Sequence, residues 1–105
     1  MSRKKVIVIG AGMGGLSAAI DLTRTGHDVT VVEYAPGPGG KMRELNVGGV
    51  PINSGPTVLT MRWVFEELFE NAGVSLEDRV NLVPLDLLAR HAWSEEEVLD
   101  LYADP

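Results

Sequence analysis

Two short apolar runs near the start of the chain enclose a segment with helical periodicity. Val6 to Ile9 is an unbroken β-branched run, and Val29 to Val32 is a second run interrupted by one threonine. Runs of this kind are typical of strands buried on both faces of a parallel sheet. The segment between them carries an apolar stripe made of Leu16, Ala18, Ala19, Ile20 and Thr23. The pattern predicts a β-α-β unit whose sheet is covered by helices, with Gly26 ending the helix.

Two later stretches have the pattern of β-hairpins. Leu45 to Ile52 contains two short strand-like runs about a Gly-Gly turn, a signal that Pro51 weakens. Leu82 to Trp93 and Val98 to Tyr102 are also strand-like, and the acidic run Ser94 to Glu97 separates them. We interpret that run as a solvated turn, although three glutamates are also compatible with the start of a helix.

A second helix is predicted between these hairpins, from about Leu59 to Ala72. Its apolar residues recur at helical spacing and are assigned to the core: Phe65, Leu68, Phe69 and Ala72. Gly73 is expected to end the helix. Ser75 to Asp78 then has the composition of a capped single helical turn.

Composition and charge exclude several classes of function. The chain has 105 residues, 15 acidic against 9 basic, and a net charge of −6. The basic residues form no stripe, which argues against nucleic acid as a partner. Without cysteine, neither a disulfide nor a thiolate metal site can form, and we expect no metal site. The apolar run after Arg3 to Lys5 is broken at Gly10, unlike that of a signal peptide, so we expect a cytoplasmic protein. No run reaches the roughly 18 apolar residues of a membrane span, so we expect any membrane contact to be peripheral.

The first candidate site lies where the first predicted strand turns into the helix. Gly10, Gly12 and Gly15 have the spacing G-x-G-x-x-G, in which the glycines permit a tight turn, pyrophosphate approach and close helix packing. Glu33 ends the second predicted strand, where such folds place a carboxylate for ribose hydroxyls. Strand, glycines, helix, strand and acid in this order predict a site for the adenosine half of a dinucleotide.

The loop after Glu33 is the second candidate. Tyr34 to Gly40 is too rich in glycine and proline for a helix or a central strand. A surface linker is one interpretation. We favour ligand contact, because Gly39 and Gly40 offer bare backbone amides and Lys41 or Arg43 offers a cation for a diphosphate. His27 and His91 are interpreted as turn and sheet residues, because no metal-type cluster surrounds them.

Four segments together resemble the phytoene desaturase type of carotenoid oxidoreductases, flavoproteins of the superfamily that includes the amine oxidases. They are Val6 to Leu16, Val31 to Glu33, Pro38 to Met42 and Ser54 to Thr60. The tail Leu88 to Trp93, followed by Leu99 to Tyr102, is similar to the hydroxyneurosporene or methoxyneurosporene desaturase branch. The chain departs from related patterns at Asn53, where the family often has Asp, and at Ala35 and Gly37, where amine oxidases carry arginines.

The resemblance implies an α/β fold: a Rossmann-like, FAD-binding β-α-β start with a parallel sheet, then a β-hairpin, a helix and the beginning of a substrate-domain sheet. Residues 1–57 would belong to the FAD-binding domain and residues 58–105 would lead into the substrate domain. Family members are several times longer, so the chain looks like an N-terminal portion. The implied cofactor-binding residues are Gly10, Ala11, Gly12, Met13, Gly14, Gly15, Glu33, Tyr34, Gly39, Gly40, Lys41, Met42, Gly55, Pro56 and Thr57.

The implied activity is desaturation of a carotenoid by hydride transfer to FAD, with the lipophilic polyene as the partner. No side chain is an obvious acid or base for that step, so no catalytic residue is named. Two alternatives stay open. One is another FAD-dependent oxidoreductase of the same superfamily, and the other is a dinucleotide-binding module without catalysis.

Overall fold

The computed structural model describes residues 2–104, which form three separate two-stranded sheets and two helices. The elements in chain order are β1 (Lys5–Ile9), α1 (Met13–Arg24), β2 (Asp28–Val32), β3 (Glu44–Val47), β4 (Val50–Asn53), α2 (Arg62–Asn71), β5 (Leu87–Ala92) and β6 (Val98–Tyr102). The order confirms the predicted α/β class, with a β-α-β start followed by a hairpin, a helix and a further sheet.

The β-α-β unit has the predicted parallel arrangement. β1 and β2 pair from Lys5 opposite Asp28 to Ile9 opposite Val32, and the N–H of Gly10 extends the ladder by donating to the Val32 oxygen at 2.7 Å. Gly26 follows α1 with φ +89°, a left-handed conformation that suits glycine and closes the helix. The parallel pairing of β1 with β2 and the closure of α1 at Gly26 therefore agree with the sequence prediction.

The prediction that β1 is buried on both faces is wrong for this chain. Val6 and Val8 are half-buried, whereas Ile7 and Ile9 are 68% and 87% exposed. Side chains of a strand alternate between the two faces of its sheet, and α1 covers only one of them. Among the described residues nothing packs on the opposite face, which is consequently apolar and open.

Both predicted hairpins are present. β3 and β4 are antiparallel, and the turn residues Gly48 and Gly49 have φ of +60° and +88°, as a tight two-residue hairpin turn requires. Pro51 is accommodated in a two-stranded sheet opposite Asn46. β5 and β6 also pair antiparallel. The hydroxyl of Ser94 accepts hydrogen bonds from the N–H groups of Glu96 and Glu97, so the acidic run is a turn.

The second helix starts three residues later than predicted, at Arg62 in place of Leu59. Met61 immediately before it has φ +54° and ψ +48°, a left-handed conformation that a right-handed helix cannot continue through. Gly73 ends the helix as predicted, with φ +82°. The oxygen of Leu76 accepts bonds from the N–H groups of Arg79 and Val80, so the predicted single turn follows.

The chain as a whole is extended. Its radius of gyration is 18.3 Å, whereas a compact chain of this length has about 13 Å. Ala11, Ala19 and Leu76 are the hydrophobic residues that are buried within the described range. The predicted domain boundary at residue 57 stays a prediction. Neither helix is long and apolar enough to cross a membrane.

Candidate dinucleotide site

The turn from β1 into α1 depends on glycine at two positions. Gly10 has φ +99°, which a residue with a side chain adopts only under strain. A Cβ on Gly15 would overlap the Gly10 carbonyl oxygen and would lie 3.5 Å from a Val8 methyl. Bare Cα atoms at these positions let α1 lie directly against the end of β1, which fixes the direction of the helix axis.

The N-terminus of α1 is open to an anion. Gly12 is the N-cap, no side chain caps the helix, and its first turn contains no acidic residue. The first amide groups of an α-helix have no acceptor within the helix, and the helix dipole adds positive potential there. A phosphate group fits these properties, because it supplies both the acceptor oxygens and the negative charge.

The loop with the glycine doublet packs on the first loop, backbone against backbone. The N–H of Gly39 donates to the Ala11 oxygen at 2.8 Å. A Cβ on Gly40 would lie 3.0 Å from the Gly12 Cα, closer than side chains normally approach. Ala11 and Gly39 are 28 residues apart in the sequence, and their contact makes the two loops one wall. The missing side chain of Gly40 is what permits the close approach to Gly12.

Two further glycines hold this second loop. Gly39 has φ +126°, and a Cβ there would lie 2.7 Å from the Met42 oxygen. A Cβ on Gly55 would overlap the carbonyl oxygen of Lys41. Gly55 therefore supports the loop from behind and does not line the site, which changes the role expected for it.

Glu33 joins the two loops. Its Oε2 accepts the N–H of Ala11 at 2.6 Å, and its Oε1 accepts the N–H of Ala35 at 2.9 Å. The bonds from Ala35 and Ala11 lower the pKa of this carboxyl, because they stabilise its ionised form. Each carboxylate oxygen has a second lone pair. Glu33 can therefore accept bonds from two ribose hydroxyls while it keeps both backbone bonds.

A cleft of about 770 Å³ opens between the two loops and the segment before α2. Eight of the predicted site residues line it: Gly12, Met13, Gly39, Gly40, Lys41, Met42, Pro56 and Thr57. Six further residues line it that were not assigned to a site: Val58, Leu59, Thr60, Phe65, Val80 and Leu82. The sequence predicts Phe65 as a core residue, because its spacing places it on the apolar face of α2. The spacing does not show what that face covers.

The other predicted site residues lie around this cleft. Gly10, Ala11, Gly14 and Gly15 form the turn and first helical residues behind it, and Glu33 lies at the end of β2. The side chain of Tyr34 is fully exposed. A neighbouring cleft of about 790 Å³ is lined by Ala35–Pro38, Arg43, Asn53 and also Gly40, Pro56 and Thr57. Arg43 therefore faces a different cleft from Lys41.

Residues 8–72 match the model of the family described as NAD(P)-binding Rossmann-like domain. The match covers more than half of the chain, and the chain belongs to this family of dinucleotide-binding domains. The matched range begins within β1 and includes the glycine loop, α1, β2 and Glu33. A dinucleotide is therefore the class of cofactor that this site takes.

More particular relatives narrow the class. The chain is 52% identical over 101 residues to the hydroxyneurosporene desaturase of Rubrivivax gelatinosus. The aligned residues are 95% of this chain and 19% of that protein. It is 50% identical over 100 residues to the hydroxyneurosporene desaturase of Cereibacter sphaeroides, covering 95% and 20%. These similarities confirm the resemblance to carotenoid desaturases. The chain spans about a fifth of the length of these relatives.

A solved structure has a related fold. The crystal structure of an oxidoreductase from Methanosarcina mazei superposes with a TM-score of 0.57 and 25% identity, over 95% of this chain and 25% of that one. The similarity extends over nearly all of the chain, so it includes the hairpins as well as the β-α-β unit.

Proposed function

We propose that this chain forms the ADP-binding part of an FAD-dependent oxidoreductase that desaturates a carotenoid of the phytoene or hydroxyneurosporene type. The similarity to two hydroxyneurosporene desaturases over 95% of the chain is the observation that carries the proposal. The cleft supports it, because the glycine loop, the glycine doublet and the Pro56–Thr60 segment meet there.

We propose FAD as the dinucleotide. The open N-terminus of α1 suits its diphosphate, and Glu33 has free lone pairs for its ribose. Beyond these groups the cleft is mainly apolar, with Val58, Leu59 and Phe65 in its wall. Such a wall suits a flat aromatic ring system. When bound, FAD supplies the hydride acceptor that desaturation needs.

The residues of this chain bind and orient, and we assign none of them to proton transfer. The amides at the start of α1 and the Lys41 ammonium group would neutralise the diphosphate charge. Gly40 would present its backbone amide beside it, since the N–H of Gly39 already donates to the Ala11 oxygen. The apolar wall would exclude water from the reacting carbons, which have no polar group for a side chain to activate.

The proposed cofactor contacts comprise the residues of the two loops, the acid at the end of β2 and the turn before α2. They are Gly10, Ala11, Gly12, Met13, Gly14, Gly15, Glu33, Tyr34, Gly39, Gly40, Lys41, Met42, Gly55, Pro56 and Thr57. Gly15 and Gly55 would act indirectly, since each is packed against a backbone carbonyl. Peripheral contact with a membrane, through which a lipophilic substrate would arrive, is part of the same proposal.

The first experiment is to purify the intact protein and record its absorbance spectrum before and after denaturation. We expect stoichiometric flavin, released on unfolding. A protein that retains a nicotinamide dinucleotide and shows no flavin absorbance would contradict the FAD assignment.

The second experiment tests the substrate. The intact protein is expressed in cells that make carotenoid precursors, and the pigments are compared with those of cells carrying the empty vector. A polyene with additional conjugated double bonds is the expected product. Flavin binding with unchanged pigments would favour another oxidoreductase of the superfamily. A protein with neither bound flavin nor changed pigments would favour a dinucleotide-binding module without catalysis.

A further inference from the structure

The segment before α2 separates two clefts. Thr57, Val58 and Leu59 line the dinucleotide cleft on one side and a second cleft of about 550 Å³ on the other. Leu82 also lines both clefts, and the second one continues along Val83, Pro84 and Leu85. A shift of this partition would therefore change the shape of both clefts at once.

The partition ends at a residue in an unfavourable backbone conformation. Met61 has φ +54° and ψ +48°, and it is the one non-glycine residue with positive φ within residues 2–104. The left-handed region is disfavoured for residues with a Cβ, and methionine has no short polar side chain that would bond locally to offset this. Strain of this kind is characteristic of residues that hold functional geometry.

The side chain of Met61 does not explain its conformation. It is 60% exposed and lies outside the lining of both clefts. The backbone has a clearer role, because the left-handed residue is the junction between Thr60 and the first turn of α2. The Met61 oxygen accepts the N–H of Val64 at 3.0 Å and so begins the helix.

The next residue ties this turn to the rest of the chain. Arg62 Nε donates to Glu66 Oε1 at 2.6 Å, and its Nη2 donates to Glu77. Glu66 lies one turn along α2, whereas Glu77 lies in the turn that follows the helix. Arg62 therefore links the start of α2, directly after Met61, to the turn that follows the helix.

We propose that Met61 is a positioning residue, whose left-handed backbone sets the place of the Thr57–Leu59 partition between the dinucleotide cleft and the second cleft. The inference rests on the proposed function for the identity of the cofactor. The proposed role belongs to the Met61 backbone and not to its side chain, so substitutions that differ in their tolerance of positive φ test it.

The experiment compares Met61→Asn with Met61→Val in the intact protein. Both variants remove the methionine side chain, but asparagine tolerates the left-handed region and valine, being β-branched, is an outlier there. We expect the Asn variant to bind FAD within about twofold of the parent, and the Val variant to bind about tenfold more weakly. We also expect the flavin absorbance bands to move in the Val variant alone, a change that loss of stability by itself would not produce.

Equal FAD affinity and equal spectra in the Asn and Val variants would overturn the proposal. A second pair, Met61→Gly and Met61→Ala, covers the case in which the Val variant does not fold. Glycine has no penalty at positive φ, so its melting temperature should exceed that of the alanine variant, and the reverse order would also overturn it. A parent protein without flavin would contradict the proposed cofactor, while the order of these melting temperatures would still decide whether Met61 is strained.

Discussion

Two regions of this chain, the glycine-rich loops at the dinucleotide cleft and the hairpin near the end of the described residues, are held in different ways. The glycine cradle, which we define as Gly10–Gly15, Gly39–Met42 and Gly55, joins segments far apart in sequence through backbone contacts. The terminal hairpin, β5 and β6, has its strand hydrogen bonds within itself. Its apolar side chains Val98, Leu99 and Leu101 are about half exposed.

The difference shows what each region needs from its surroundings. In the cradle, backbone segments touch because glycine has no side chain. A Cβ added at Gly15, Gly39, Gly40 or Gly55 would collide with a carbonyl oxygen or a Cα. In the hairpin, β5 and β6 pair only with each other among the described residues, and most of their apolar side chains stay exposed. Changes in the cradle should therefore be severe and changes on the hairpin surface mild.

The largest effect is expected for Gly15→Ala. The new Cβ would overlap the Gly10 oxygen, so α1 would have to move away from β1, at a cost of about 1–3 kcal/mol typical of overpacking. The matched control is Gly14→Ala, where a Cβ meets nothing within 4 Å. Alanine favours the helix there by up to about 1 kcal/mol. Denaturant unfolding of the intact protein measures both, and equal stability of the two variants would refute the packing argument.

Changes at Glu33 should have a smaller effect, seen mainly in cofactor binding. Glu33→Ala removes the acceptor for the Ala11 and Ala35 amides and the proposed ribose contact. We expect FAD to bind on the order of tenfold more weakly, as for loss of a charge-assisted hydrogen bond. The FAD affinity of Glu33→Gln should lie between those of the parent and Glu33→Ala, because glutamine keeps one carbonyl acceptor. A Glu33→Ala protein with unchanged flavin occupancy would place the ribose contact elsewhere.

The same carboxylate gives a pH dependence of definite sign. Its pKa in the folded chain lies below the ordinary value of 4.5, chiefly because of the bonds from Ala35 and Ala11. The stabilisation is therefore present above pH 4.5 and is lost as the pH falls through the folded pKa. The melting temperatures of the parent and Glu33→Gln should converge on acidification. Glu95→Gln, on the acidic turn, is the control for removal of a negative charge.

The smallest effect is expected on the terminal hairpin. Arg90 and Asp100 form two hydrogen bonds of 2.6 Å across β5 and β6, and the pair raises the pKa of Arg90 and lowers that of Asp100. Solvent and salt screen such an exposed pair. Arg90→Ala should change the melting temperature by less than about 3 °C, a shift that 0.5 M salt should reduce. A larger loss would show that the hairpin, like the cradle, depends on one specific contact.

Much of the fold follows from local sequence. Gly26 and Gly73 close both helices, Gly48 and Gly49 form the hairpin turn, and Ser94 to Glu97 form the acidic turn, each at its predicted place. These features depend on the conformational preferences of one or two neighbouring residues. The order of elements and the glycine loop could be predicted for the same reason.

Other features depend on contacts between distant segments. Sequence alone does not show that Gly40 faces Gly12, that Gly55 supports Lys41, or that Phe65 lines the cleft. It also overestimates the burial of β1, since an apolar run shows what a strand can bury but not whether a partner covers it.

The start of α2 shows most clearly what each level determines. The sequence predicts a helix from about Leu59, and methionine has a good helix propensity, so local preference would carry the helix through Met61. The left-handed turn at Met61 instead accompanies the ties from Arg62 to Glu66 and Glu77, the second of which lies 15 residues away. The sequence by itself determined the elements and the chemistry of the glycine loop. Only the tertiary structure decided where the cleft wall ends, because that position depends on contacts between distant segments, which the local preference of a single residue does not contain.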